Sequence, residues 1–585
     1  MQRKQRKQRV WYQYLQSIPE LVKYQIVTKL TLAAALYVLG KVSQWAIESA
    51  GRVAVTSGDF LFLFTSWQGW LLVILGLSVL FFYIALELNT KIWYCSQIIK
   101  GEDAPVREAL RFGMEGIRRF LNPAGLLVIL YVGLIVPVAG FGLSISLTSR
   151  VYIPSFITSV IASTPLYLAL YRLVVAGFTV VGVLHVFVLH IVLLDGVGAE
   201  EAIVRSRQMV KQNFKSFLVQ MLLFYVRIAV VVALVVIAVS LPAAFAYALS
   251  ESRALLLFLL MLGAAVSSLA SFLIDPYFVL KLTQLYYEFS RGEAVEIPVR
   301  SRRHHPFIAL GVMATVAALG LAAVVMDIYF DLLFPAAIDT QVIAHRAGGD
   351  EGPENTVKGI EAAVAEGAYG SEIDVQRTQD GYYVINHDTT FKRLTGDSRK
   401  PSEMTLAQVR ELRLTGSGEP VPTLEDMLDA SKGKIVLFVE LKGETADRRM
   451  ADDVVQMVRE REMTDEVVLI SLKYDLIDYI ESMYPEMQTG FLAWLAYGNT
   501  AALHCDYLGL EAEIATTSTI ESIHNQDKLA LVWTPNTEDE QKHFLCSDAD
   551  AIITDNVAQS ARVRAELEQR SDLERMLDEL VQVLM

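Results

Sequence analysis

The first 330 residues carry apolar runs long enough to cross a bilayer, near 26–47, 66–89, 123–147, 166–194, 216–247, 254–288 and 306–328. A hydrocarbon core about 30 Å thick takes ~20 residues of helix, and inside it each backbone amide must find its partner within the segment. Runs of this length can meet that demand only as helices. Residues 1–330 therefore read as an all-α polytopic membrane domain with about seven spans. Several runs exceed a single perpendicular crossing, which leaves room for tilt, kinks or interfacial extensions. Mean hydropathy is +0.37, yet the net charge is −14, and the acidic excess lies in the other half. An acidic chain without a basic, aromatic-laced helix argues against nucleic acid as a partner.

Basic residues order the loops. Lys91, Lys100, Arg107, Arg111, Arg118 and Arg119 lie between the second and third runs; Arg205, Arg207, Lys211 and Lys215 between the fourth and fifth; Arg291, Arg300, Arg302 and Arg303 between the sixth and seventh. The alternate loops hold only Arg52, Arg150 and Arg253. By the positive-inside rule the N-terminus is cytoplasmic, and an odd number of crossings puts the C-terminal domain outside the cytoplasm of a multi-pass cell-membrane protein. The opening basic run MQRKQRKQR reads as a cytosolic anchor, since no small-residue cleavage site follows it. Two of the basic loops resemble each other, each opening on a Glu-Ala pair (Glu108-Ala109, Glu201-Ala202). They suggest an internal duplication and helices resting on the anionic inner leaflet. Of the polar residues in the runs, Glu87, Arg172, His185 and His190 are expected to snorkel from span ends, with Asp275, before Pro276, the exception.

Beyond a short tether at 331–340, strand-like runs recur at 341–346, 370–376, 382–387, 434–441, 466–471, 488–493, 506–510, 529–534 and 550–553. Helical periods separate most of them, for example Thr356 to Glu366, and such alternation argues a parallel α/β barrel over 341–560. Nine runs are one too many for eight staves. The turn Thr378-Gln379-Asp380-Gly381 accounts for the surplus as a hairpin. Residues 561–585 end in a helical stripe of Leu573, Met576, Leu577, Leu580 and Leu584, suited to covering the barrel or to pairing with another copy. Cys95, Cys505 and Cys546 make no metal-ligand spacing and no disulfide framework.

The chemistry gathers at strand ends. His345-Arg346, then Glu372 and Asp374, then His387-Asp388 close successive runs. Residues two apart on a strand share a face, so Glu372 and Asp374 point the same way and invite a hard cation. Glu440, ending KIVLFVE, offers a third carboxylate, and an oxygen-only set favours Ca2+ or Mg2+ over zinc. Lys442 shares its face with Glu440, either as that carboxylate's partner or as a cation for a phosphate.

Taken in order, His345-Arg346-Ala347, Pro353-Glu354-Asn355-Thr356, Glu372-Ile373-Asp374-Val375, Thr378-Gln379-Asp380-Gly381, His387-Asp388 and Glu440-Leu441-Lys442 resemble the glycerophosphodiester phosphodiesterase family. Trp533-Thr534-Pro535-Asn536 and Ile553-Thr554-Asp555 extend the match, while Ala347 stands where the family has glycine. The resemblance implies a TIM-type (β/α)8 barrel with a helical insertion, placed at 389–433. It also implies a divalent ion on Glu372, Asp374 and Glu440. Arg346 and Lys442 would face a phosphodiester, with His345 and His387 jointly as acid and base. Glu354 and Asn355 are expected to position substrate or loop, and Trp533 to line the pocket or pack in the core. The expected reaction releases glycerol 3-phosphate and an alcohol, the 2-hydroxyl of glycerol attacking first to give a cyclic phosphate. Lysophospholipids or lipid-linked glycerophosphate polymers are alternative substrates of the same chemistry. A transporter or sensor using the barrel as a binding module is the alternative from another class. Oligomeric state is left open.

Overall fold

A computed structural model describes the chain apart from residues 1, 53, 57–60, 132–160, 162–163, 250–251, 293–305, 335–338, 494–495, 499–502 and 585. It divides into two compact units that interleave in sequence. One comprises Met1–Val42 and Leu72–Tyr329, the other Ser43–Leu71 and Phe330–Met585.

The first unit is helical. Among the described residues six helices are long and apolar enough to span a membrane: Ser17–Ser49, Trp67–Lys100, Pro165–Asp195, Phe214–Pro242, Arg253–Arg291 and Leu310–Ile328. They coincide with six of the seven expected runs. The remaining one begins as the helix Pro123–Leu130 and continues outside the described residues, as do Arg150, Arg300, Arg302 and Arg303.

Glu87 does not snorkel. It is buried, accepting from Lys91 Nζ at 2.7 Å, and the same ammonium bonds Asp275. Lys91, expected in a loop, is itself buried, because three charges withdrawn together from solvent can satisfy one another whereas each alone cannot. His190 is also buried, with Nε2 3.1 Å from the Thr283 hydroxyl, while Arg172 is exposed.

The two similar basic loops fold as helices Val106–Ile117 and Ala199–Gln212. Each buries a stripe at i, i+4, i+8: Ala109, Gly113 and Ile117 in one, Ala202, Ser206 and Val210 in the other. Their small residues meet protein rather than lipid. Gly113 O accepts from Asn89 Nδ2 at 3.2 Å, and Ser206 Oγ donates to Leu184 O at 3.1 Å. The two helices thus bury stripes of the same spacing.

The second unit contains every described strand: β1 (Ala54–Thr56), β2 (Gln341–Ala344), β3 (Gly370–Arg377), β4 (Tyr383–Ile385), β5 (Val436–Leu441), β6 (Val467–Ser471), β7 (Gln488–Ala493), β8 (Ala496–Gly498), β9 (Tyr507–Glu511), β10 (Leu529–Trp533) and β11 (Ala551–Thr554). Eight are parallel and close a ring in the order β2-β11-β10-β9-β7-β6-β5-β3, with β3 returning to β2. The surplus run is β4, antiparallel to β3 through the Thr378–Gly381 turn, where Thr378 N donates to Tyr382 O at 2.7 Å. Inside the ring Ile343, Phe438, Ile470, Leu531 and Ile553 fill the barrel. Outside it the staves pack on helices such as Val357–Ala365 and Leu424–Ser431. This is the (β/α)8 arrangement, whose reactive face is built at the C-terminal strand ends.

The insertion after β4 has a small core of its own, with Phe391, Met404, Val409 and Val421 packed on Val384. The tail helix Asp572–Leu584 belongs to this unit. Arg575 reaches the Phe334 carbonyl and lies 4.8 Å over the Phe330 ring, while Lys542 and Arg570 hold Asp578. The three cysteines are free.

Candidate active site

β2 ends at Ala344, and the next two residues turn the chain across the top of the barrel. His345 N donates to Thr554 O at 2.9 Å, and Gly349 N closes the turn onto His345 O at 2.8 Å. Arg346 and Ala347 take φ of 49° and 78°, the left-handed region that disfavours a Cβ. Ala347 therefore keeps the loop shape that glycine adopts more easily. Gly349 has no such latitude: a Cβ there would lie 2.2 Å from the Asp555 carbonyl oxygen.

Alternation along β3 and β5 builds the acidic centre. In register, Glu372 lies beside Phe438 and Asp374 beside Glu440, so all three carboxylates enter the barrel with Phe438. All three are buried, with oxygens within 4.8 Å of one another. Lys442 Nζ bonds Asp374 at 3.0 Å and Glu440 at 2.9 Å. The Arg346 backbone N–H donates to Glu372 at 2.8 Å, and Asn355 Nδ2 donates to Asp374 at 2.8 Å. Burial, then the charges of Asp374 and Glu440, push Glu372 well above the ordinary carboxyl range. Burial raises Glu440 as well. Burial also works against the Asp374 anion, but Lys442 and His387 outweigh it and hold that group low. One ammonium among three buried carboxylates leaves negative charge unmatched. An oxygen-only set in that state suits a hard divalent cation.

Both imidazoles are oriented through Nδ1. His345 Nδ1 lies 2.7 Å from Asp555, which Asn536 Nδ2 also holds at 2.6 Å. His387 Nδ1 lies 2.9 Å from Asp388. Burial lowers the His387 pKa, the Asp374 charge opposes this, and Lys442 and Arg346 reinforce it. Asp388 is disfavoured as an anion by burial, but hydrogen bonds from Arg393 and His387 bring it down to about 2.

Arg393 was not singled out in the sequence, yet it joins the two histidines' surroundings. It donates to Asp388 at 2.8 Å and to both Glu354 oxygens at 2.7 Å, and Glu354 in turn accepts from Arg346 at 3.2 Å. It lies within the insertion, where a lone arginine carries no spacing signal. Asp555 and Asn536 were visible as motif members but not as the pair that fixes His345. Asn355 serves Asp374, and Glu354 serves two arginines. Trp533 ends β10 and packs on the barrel interior, its indole N–H buried without a hydrogen bond among the described residues. Glu511, buried at the end of β9, is a further acid the sequence reading passed over.

Residues 345–559 match the family model described as glycerophosphoryl diester phosphodiesterase family. Residues 9–324, more than half of the chain, match the membrane domain of glycerophosphoryl diester phosphodiesterase. A glycerophosphodiester phosphodiesterase of Caldanaerobacter subterraneus is 26% identical over 234 residues, covering 37% of this chain and 94% of that protein. Glycerophosphodiester phosphodiesterase 1 of Homo sapiens is 34% identical over 110 residues, 17% of this chain and 33% of that one. Among solved structures, an Oleispira antarctica phosphodiesterase in complex with the product sn-glycerol-3-phosphate is 23% identical, with a TM-score of 0.36, covering 38% of this chain and 96% of that one. The chain belongs to the glycerophosphoryl diester phosphodiesterase family and is a phosphodiesterase that joins the family's membrane domain to its barrel.

Proposed function

We propose that the chain hydrolyses glycerophosphodiesters to glycerol 3-phosphate and an alcohol, in a metal-dependent reaction with histidine acid–base catalysis, on the extracytoplasmic side of the membrane. The observation that carries this reading is the joining of both Asp-oriented histidines to each other and, through the Arg346 backbone N–H on Glu372, to the buried acidic centre. The connection runs from His345 through its neighbour Arg346 to Glu354, then through Arg393 and Asp388 to His387.

Glu372, Asp374 and Glu440 would hold a divalent cation, Ca2+ or Mg2+, which supplies Lewis-acid polarisation of the phosphoryl oxygens. Arg346 and Lys442 offset the charge that grows on those oxygens. Each imidazole commits Nδ1 to a carboxylate, which leaves Nε2 for the proton. One histidine takes a proton from the attacking 2-hydroxyl of glycerol while the other gives one to the departing alcohol oxygen, leaving a cyclic phosphate. Water then opens the ring with the two roles exchanged, which yields glycerol 3-phosphate and restores both protonation states. Asp388 and Asp555 keep the rings in place. The extracytoplasmic assignment rests on the alternation of basic loops.

The test is release of glycerol 3-phosphate from a panel of glycerophosphodiesters by the full-length chain, with and without exhaustive chelation. Turnover abolished by chelation and restored by Ca2+ or Mg2+ is expected. Turnover undiminished without metal, or full activity in both His345→Ala and His387→Ala, overturns the mechanism. Protease accessibility of the barrel in sealed right-side-out vesicles tests its side, and protection there contradicts it.

A further inference from the structure

The segment between the first two membrane helices belongs to the barrel unit, not to the helical one. Within it β1 pairs antiparallel with β8, setting Ala54 opposite Gly498, Val55 opposite Tyr497 and Thr56 opposite Ala496. A two-stranded ribbon is marginal alone, so supporting contacts matter. Val55 is buried at 6% exposure. Phe62, also buried, lies under the Arg52 guanidinium at 4.9 Å. Ser66 Oγ accepts from Gly69 N at 2.9 Å, and Trp70 Nε1 donates to Phe64 O at 3.1 Å. The described residues of the segment are thus a folded piece rather than a slack connection.

β8 begins three residues after Ala493, the last residue of β7, and so lies in a loop of the reactive face. In the eight-membered ring β7 stands four steps from β2, directly across from the strand that delivers His345. The acidic centre rises from β3 and β5, and Asp555 follows β11. The groups that engage the glycerophosphoryl end therefore occupy one side of the mouth, and β1 is appended to the rim opposite.

We propose that β1 forms part of the substrate mouth and selects among glycerophosphodiesters by the size of their alcohol moiety, a role that rests on the hydrolytic reading above. A small alcohol ends before the far rim, whereas a bulky one extends across the mouth and meets the ribbon.

The full-length chain carrying Val55→Cys and Tyr497→Cys forms a disulfide on mild oxidation if the two positions are paired in the register described. Val55→Pro removes a backbone donor and loosens the ribbon. The readout is kcat/KM for a glycerophosphodiester of methanol and for one of inositol. Val55→Pro is expected to change the inositol-to-methanol ratio by about tenfold, the scale on which shape contacts discriminate, with the methanol ester nearly unaffected. If Val55→Pro loses activity on both esters, the oxidised and reduced forms of the double-cysteine chain supply the same ratio. Failure of the disulfide to form, or a ratio that neither variant moves, overturns the proposal. A wild-type chain that hydrolyses neither ester refutes the hydrolytic reading instead, so the two failures are told apart.

Discussion

Removing the divalent ion should destabilise the barrel, and more so as pH rises. Carboxylates within 4.8 Å of one another repel by about 3.5 kcal/mol or more per pair at an effective dielectric of ~20. Lys442, at 2.9 and 3.0 Å from two of them, offsets a sum of that size. What remains is the burial of three carboxylates against one ammonium, which is why Glu372 and Glu440 are raised. An acid whose folded pKa is raised favours the folded state while protonated. Its contribution is complete below the ordinary carboxyl value near ~4.3 and is lost as pH climbs through the raised one. The metal-free chain should therefore lose stability from about pH 4.5 upward. An ion at a hundred times its Kd returns about 2.7 kcal/mol. For a unit of this size that is a Tm rise of about 5–10 °C. The assay is thermal unfolding of the detergent-solubilised full-length chain, in EDTA and in CaCl2 or MgCl2, across pH 5–8. At pH 8 metal-free Glu372→Gln should unfold above metal-free wild type and respond less to the ion. A Tm indifferent to divalent ions, or one that rises with pH in EDTA, refutes the charge argument.

His345→Ala and His387→Ala should each lower kcat by about 10²-fold or more, measured as glycerol 3-phosphate release. Asp388→Asn removes a hydrogen bond that raises the His387 pKa, so the limb of the kcat/KM profile governed by His387 should move further acid. A limb that stays put or moves alkaline contradicts the pairing. Lys91→Met strands Glu87 and Asp275 without their cation and should cost about 3–5 kcal/mol. Combining it with Glu87→Gln and Asp275→Asn should recover most of that, read as Tm in detergent.

Alternation and composition carried most of the architecture. Each stave of the barrel is a short apolar run closed by a polar or turn-forming residue, so its period and its end are both visible, and the surplus run resolved through one local turn. The same reasoning reached the acidic centre because Glu372 and Asp374 are two apart, and Asp374 meets Glu440 across one strand pair. Local signals of this kind survive in a single sequence. The basic loops were legible as helices for the same reason, but which way their faces turned was not. Ala109 and Gly113 look like a weak apolar stripe until Asn89 bonds the Gly113 carbonyl.

What escaped depends on partners far apart in the chain. Lys91 counts as a loop cation until Asp275, 184 residues on, comes beside it. Arg393 is one arginine among several in a polar insertion, and only the fold brings Glu354 and Asp388 to its guanidinium. The pairing of β1 with β8 joins Ala54 to Gly498 through three residues a side, too short a run for any period to show. These long-range contacts share a physical character: each closes a large loop, and none is forecast by the residues next to it. They also bear on how the enzyme can be dissected. A soluble barrel beginning near residue 338 keeps the acidic centre and both histidines but lacks β1. A difference between that fragment and the whole chain therefore combines loss of the bilayer with loss of a piece of the barrel unit. Substitutions in the β1–β8 ribbon of the intact chain separate the two.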